Sequence, residues 1–411
     1  ELEKEITIVD FDLPTFQEIK TVLREMIDAN RSGGRIIIDL TPEEEERLAK
    51  AALGLTLHEA ENAFARAMMK DGRLDVSDVE LILEEKRQII KKSGILEYVK
   101  TDLKIEDVGG LENLKRWLMK RNKSWLDSAA VYGLPAPKGV LITGVTGCGK
   151  SLIAKAVSAM WQLPLLRLDM GKIFSGLLGS SEENMRKAIK TVEAIAPSIL
   201  WIDEIEKGFS GMSGVGDSGT SSRIFGSFLT WMQEKTKPVF VIATANDIHA
   251  LPSEMLRKGR FDEIFFVDLP TRKERKEIFR VHLAKRLKDP KVIGDFQLHE
   301  GTLNVLAEMT EGFVGAELEQ IVISGLFEAF SEDRSVTLAD FQKAIRNTVP
   351  LSVTQYEQIR SIREWANVRA VAATAREDRM EYKSEAVETI APPRPDESDI
   401  RTARGGRAVD F

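Results

Sequence analysis

The chain is nearly without cysteine. Cys148 is the single one in 411 residues, so no internal disulfide can form. That fits a reducing compartment, cytosol or stroma. A basic excess is also missing: the formal net charge is −7 and the pI about 5.5. Phosphate-backbone binding usually leaves a basic footprint, so nucleic acid is not expected as the main partner. No apolar run approaches the roughly 18 residues of a membrane span. "VFVIATA" is among the longest, so no membrane partner is expected. No signal peptide is present, and the first residue is not Met, as in an excised fragment. What remains is ordinary for a globular protein: 43% hydrophobic and 30% charged residues, with length for two or three domains.

The pattern changes along the chain. Residues 13–95 carry apolar positions at helical spacing, as in "EEEERLAKAALGLTLHEAENAFARAMM". From about residue 139, short apolar runs alternate with helical stretches. That alternation predicts a parallel α/β sheet. Helices return after Pro270 to about residue 347, and "TQYEQIRSIREWANVRAVAATA" reads as a further helix. From about residue 383, Pro, Gly and charge without apolar periodicity predict a disordered tail.

Two stretches echo each other. "ITIVDFDLPT" (6–15) resembles "EIFFVDLPT" (263–271), with Asp12 and Asp268 256 residues apart. Gly54 and Gly312 follow 258 apart, and Asp78 and Asp340 262 apart. The agreement is either chance between two helical regions or one strand-end-plus-helices unit written twice.

"GVLITGVTGCGKS" contains Gly144-x4-Gly149-Lys150-Ser151 after an apolar strand and before the helix "SLIAKAVSAMW". The glycines let backbone N–H groups of Val145, Thr146, Gly147, Cys148 and Gly149 curl around phosphates. The helix beginning near Ser151 and Leu152 turns its positive end to the same anions. Lys150 supplies a point charge and Ser151 a hydroxyl for Mg²⁺. Cys148 is either a small filler or a thiol made reactive by positive surroundings. "SILWIDE" ends an apolar strand in Asp203-Glu204, where Asp203 would hold Mg²⁺ through water and Glu204 would orient an attacking water. Asn246 closes the next strand, "VFVIATAN", where it could fix that water or a phosphate. Arg257 and Arg260 in "LRKGRFDE" are either solvated arginines or fingers reaching a neighbour's γ-phosphate.

"DVGGLENLK", "GVTGCGKS", "SILWIDE", "VFVIATAN", "LRKGRFDE" and "GFVGAELEQ" occur in one order from about Asp107 to Val349. The chain thereby resembles the AAA family of ring ATPases, most closely a subfamily encoded in cyanobacteria and algal plastid genomes, with a suggested link to inorganic-carbon use. The resemblance implies a P-loop α/β core followed by an all-α lid. It implies ATP and Mg as cofactors, a homo-oligomeric, hexameric ring, a protein client, and a cytoplasmic or stromal location. It places Asp107, Val108 and Gly109 in the adenine pocket, with Gly315 and Ala316 at the lid contact. The expected domains are 1–95, the last strand and lid of a truncated, degenerate first module; 96–270, the core; 271–349, the lid; 350–382, a C-terminal helix; and 383–411, a tail.

Three stretches need their own reading. "GLLGSSEEN" stands where threading relatives carry an aromatic pore loop, with Leu177-Leu178-Gly179 in its place. Leucine offers less gripping area and no ring stacking. The Gly/Ser-rich "GFSGMSGVGDSGTSS" reads as a pore-facing linker, and the basic "TRKERKEIFRVHLAKRLK" as a solvated lid helix. The expected function is Mg-dependent ATP hydrolysis coupled to remodelling of a protein. The alternatives are a nucleotide-switched scaffold with slow turnover and a nucleic-acid translocase.

Overall fold

A computed structural model of the chain describes residues 13–33, 36–101, 103–122, 124–125, 129, 131–174, 180–209 and 220–375. The first half of the echo up to residue 12, and the tail expected from 383, lie outside them. Contacts divide the chain into two units, one built mainly from residues 1–98 with 166–198, the other from most of the remainder.

The N-terminal region folds as four helices: α1 (Phe16–Gly33), α2 (Pro42–Ala51), α3 (Leu57–Asp71) and α4 (Val79–Ser93). Their apolar faces meet around Leu23, Leu48, Phe64 and Ile82, all fully buried. Capping boxes start α2 and α3: Thr41 pairs with Glu44, and Thr56 with Glu59. Each cap is worth about 1 kcal/mol. The region is not helical throughout. β1 (Ile37–Ile38) pairs in parallel with β2 (Arg73–Leu74), strands too short to show alternation in sequence.

The sheet is mixed, in the order β3-β5-β6-β7-β4-β8-β9. Its strands are β3 (Leu96–Tyr98), β4 (Gly139–Gly144), β5 (Leu165–Leu168), β6 (Ser198–Ile202), β7 (Val239–Ala245), β8 (Glu263–Val267) and β9 (Val371–Ala372). β4 runs parallel to β7 and β8, between them. Every residue of β4 and β7 is buried, as expected for strands covered on both faces. Trp117 on α5 (Glu112–Met119) sets its ring 5.7 Å from Phe265, edge-on. α6 (Lys150–Trp161) contributes Ile153, Val157 and Trp161 to the same core.

A second helical group follows β8: α7 (Arg272–Arg286), α8 (Glu300–Met309), α9 (Gly315–Ser331) and α10 (Leu338–Arg346). Its core is Phe279, Leu303, Leu306, Leu318, Ile321 and Phe341. The landmarks of the N-terminal group recur here at the spacings of the sequence echo. Thr15 N–H donates to Glu18 Oε2 at 2.7 Å, and Thr271 N–H to Glu274 Oε2 at 2.9 Å. Gly54 and Gly312 have φ of 89° and 80°, left-handed turns that favour glycine. Thr56 and Val314 N–H groups donate to Glu59 and Glu317; Asp75 and Thr337 N–H groups donate to Asp78 and Asp340. The two helical groups thus share caps and a left-handed glycine turn at matching positions, beyond a common apolar period.

The expected helix over 350–382 needs correction. α11 (Tyr356–Arg369) ends at Arg369, and Val371–Ala372 forms β9, parallel to β8. The Asn113 side-chain amide donates to the carbonyls of Ala372 (3.2 Å) and Thr374 (3.1 Å). An alanine-rich stretch favours helix locally, but the open edge of β8 and full burial of Val371 and Ala373 override that preference. Among the described residues, no helix is long and apolar enough to cross a membrane.

Candidate functional site

β4 delivers the loop 144–149 to the N-terminus of α6, as the glycine pattern predicts. A Cβ on Gly144 would lie 2.0 Å from the Val267 carbonyl, so glycine is required where β8 passes. α6 starts at Lys150, which is 6% exposed. Its ammonium donates to the carbonyls of Gly144 (2.9 Å) and Val145 (2.8 Å). Burial lowers its pKa to about 8, against the pull of Glu206, Asp203 and Glu204. The charge is thus held on carbonyls of its own loop, ready to meet an anion.

The acidic pair after β6 is tied to β7. Ser151 Oγ donates to Asp203 Oδ1 at 2.8 Å, and Thr244 Oγ1 donates to the same oxygen at 2.6 Å. Glu204 N–H donates to Thr244 Oγ1 at 3.0 Å. Glu204 sits at φ 50°, a strained conformation for a side-chain-bearing residue and one enriched at functional sites. Asn246 Nδ2 donates to Glu204 Oε1 at 2.9 Å, and Asn246 N–H donates to Glu206 Oε1 at 3.0 Å. The other oxygen of Glu204 is ion-paired with Lys207. Burial raises the pKa of Glu206, and the backbone hydrogen bond from Asn246 opposes that shift.

Lys150, Ser151, Asp203, Glu204 and Asn246 line one cavity of about 350 Å³, together with Thr146, Gly147, Cys148, Gly149 and Leu152. Asp107, Val108 and Gly109 line it too, with Gly315 and Ala316. Ala316 N–H donates to the Gly147 carbonyl at 2.9 Å, joining the helical group to the loop. The Asp107 carboxylate accepts from Lys104 N–H at 2.7 Å.

Sequence reasoning missed five lining residues: Thr244, Ile278, Val281, His282 and Glu319. Ile278, Val281 and His282 fall on one face of α7, the stretch expected to be merely solvated. His282 Nδ1 lies 3.1 Å from Arg286 Nη1 and 3.4 Å from Glu319 Oε1. Burial lowers the His282 pKa, and Glu319 opposes that shift.

Other expected residues fall elsewhere. Gly144 and Val145 meet the site only through the carbonyls that hold Lys150. Arg257 and Arg260 are not among the lining residues; Arg257 is exposed, and Arg260 donates to the Glu254 carbonyl. Leu177, Leu178 and Gly179, and most of the Gly/Ser-rich loop, lie outside the described residues. Cys148 lines the cavity and is half-buried; burial pushes its pKa up to about 12, against the pull of Lys150.

A phosphate group fits the loop. It would meet N–H groups at a helix N-terminus and a lysine bonded only to carbonyls. For a metal, the chain offers Ser151 Oγ and Asp203 Oδ1. Among the described residues, no group of three or more His, Cys, Asp or Glu could form a metal cage. Two hard oxygens suit Mg²⁺, which keeps water and phosphate in most of its positions.

The comparisons with known proteins agree with this geometry. The family model described as "ATPase family associated with various cellular activities (AAA)" matches residues 140–269, and that of an "AAA+ lid domain" matches 302–343. A third, "SpoVK-like AAA ATPase, second domain", matches 17–93. The chain is similar to the AAA domain-containing protein ycf46 of Pyropia yezoensis, 45% identical over 88% of this chain and 71% of the relative. The ycf46 protein of Trieres chinensis is 40% identical over 89% and 71%. Among solved structures, the FIGL-1 AAA domain in complex with ADP shares the fold at a TM-score of 0.54 and 22% identity, covering 70% of this chain and 97% of that one.

Proposed function

The chain belongs to the AAA ATPase family, and from that premise we propose that it binds and hydrolyses ATP with Mg²⁺. The observation that carries the reading is the meeting of Lys150, Ser151, Asp203, Glu204 and Asn246 around one cavity. Lys150 leaves its loop carbonyls for the phosphates, while loop N–H groups and the α6 N-terminus bind the rest of the anion. Ser151 and Asp203 would hold the Mg²⁺, which would supply positive charge against the phosphate oxygens. Glu204 orients a water and takes its proton. The water oxygen bonds to the γ-phosphorus as the γ-phosphorus–oxygen bond breaks, leaving ADP and phosphate. Asn246 keeps Glu204 aimed.

The adenosine end lies against Asp107–Gly109, Gly315 and Ala316. Arg257 and Arg260 act on the site of a neighbouring copy in a hexameric ring. The exposure of Arg257 and the absence of both arginines from the chain's own cavity support that reading. Such a finger contributes about 10³–10⁵ in rate. The ring couples turnover to remodelling a protein, in the cytoplasm or plastid stroma. Residues 13–93 serve as the lid of a first, ATPase-like module, without nucleotide contact: exposed His58 stands where the second lid has Ala316.

The test is equilibrium binding of a fluorescent ATP analogue to the full chain. Lys150→Ala should abolish binding or turnover, and retention of both would defeat the reading.

A further inference from the structure

We propose that Lys207 is a positioning residue that restrains Glu204, so that resting hydrolysis is slowed by one breakable ion pair. The proposal rests on the reading of Glu204 as the group that orients water. Glu204 is fixed from three sides. Its N–H is held by Thr244 (3.0 Å) and its Oε1 by the Asn246 amide (2.9 Å). Both partners come from β7 or its end and form part of the cavity wall. Its Oε2 is held by Lys207, three residues on, in the single 3₁₀ turn Ile205–Phe209.

The chemistry of the third contact differs from the other two. Thr244 and Asn246 are neutral and set direction. An ammonium on the remaining oxygen takes one of its lone pairs and crowds the approach of a water to the other. A carboxylate held in this way is aimed, and a water must share or displace the Lys207 contact before giving up its proton. Lys207 does not line the cavity, so its charge is spent on Glu204 rather than on a ligand. Its side chain is 68% exposed and that of Glu204 is 36% exposed. A pair this exposed is weak and open to solvent. It acts as a brake with a small effect, and any anion offered to Lys207 can lift it. The resulting slow resting rate is the behaviour of a ring that waits for its client.

The test measures steady-state ATPase and fluorescent-analogue affinity on the full chain. Lys207→Met and Lys207→Gln should each raise kcat about three- to fivefold, leaving KM and analogue Kd within about twofold. Lys207→Arg keeps the charge and should stay at the wild-type rate. Adding Lys207→Met to Glu204→Gln should change nothing. An unchanged or lower kcat in both neutral variants, at wild-type affinity, overturns the proposal while leaving the role of Glu204 intact. Full turnover by Glu204→Gln alone would instead remove the reading on which the proposal stands.

Discussion

The Thr244 hydroxyl donates to Asp203 at 2.6 Å while accepting from the Glu204 backbone at 3.0 Å. One hydroxyl therefore sets the register between two acidic residues with different expected tasks. Thr244→Val keeps the shape and deletes both bonds. It should cost about 1–2 kcal/mol of stability and lower kcat about tenfold, more than it changes KM. Thermal melting and steady-state ATPase assays would read the two effects separately.

Arg363 on α11 grips Asp268 through Nε (3.0 Å) and Nη2 (2.8 Å). Asp268 is 7% exposed at its side chain, so deleting the arginine strands a buried carboxylate. Arg363→Ala should destabilise by about 3 kcal/mol. Arg363→Lys should recover only part of that, because a point charge cannot reproduce the planar fork. Denaturant midpoints of the three proteins test the order.

Lys86 is fully buried in the N-terminal helical group, its ammonium 3.2 Å from the Ala51 carbonyl. Burial lowers its pKa to about 7. A base with a depressed pKa in the folded state penalises folding wherever the unfolded chain is protonated and the folded one resists it. The penalty is fully present below about pH 7 and fades as pH rises toward the unfolded value near 10.5. Lys86→Met should therefore stabilise this region by a few kcal/mol at pH 7, with the advantage shrinking at pH 9. Hydrogen exchange of α1–α4 at the two pH values would show it, and a gap that does not narrow would contradict it.

Shared sites predict complementation. Arg257→Ala should bind ATP normally and lose about 10³ in kcat. Copies carrying Lys150→Ala are equally inactive but keep intact fingers. Mixing the two should restore part of the turnover; mixtures that stay inactive would argue that each copy works alone.

The phosphate loop, the acidic pair and Asn246 were readable in sequence because each sits at the end of an apolar strand, where parallel sheets present their ligands. The matching landmarks of the two helical groups were readable because caps and left-handed turns leave residue-specific marks such as Thr56, Glu59 and Gly54. Thr244 was hidden as one polar residue inside "VFVIATAN". His282 and Glu319 were hidden for a different reason: which face of a lid helix meets the cavity is decided by packing between distant segments. Ala372 could not announce β9, since its strand exists only because β8 offers an edge and Asn113 holds the carbonyls.

The central claim is that Glu204 drives ATP hydrolysis in this cavity. Single-turnover hydrolysis by Glu204→Gln, with analogue affinity measured on the same sample, tests it most directly. The predicted result is unchanged affinity with the hydrolysis rate lowered about 10²–10⁴-fold. A variant that hydrolyses at the wild-type rate would contradict the account.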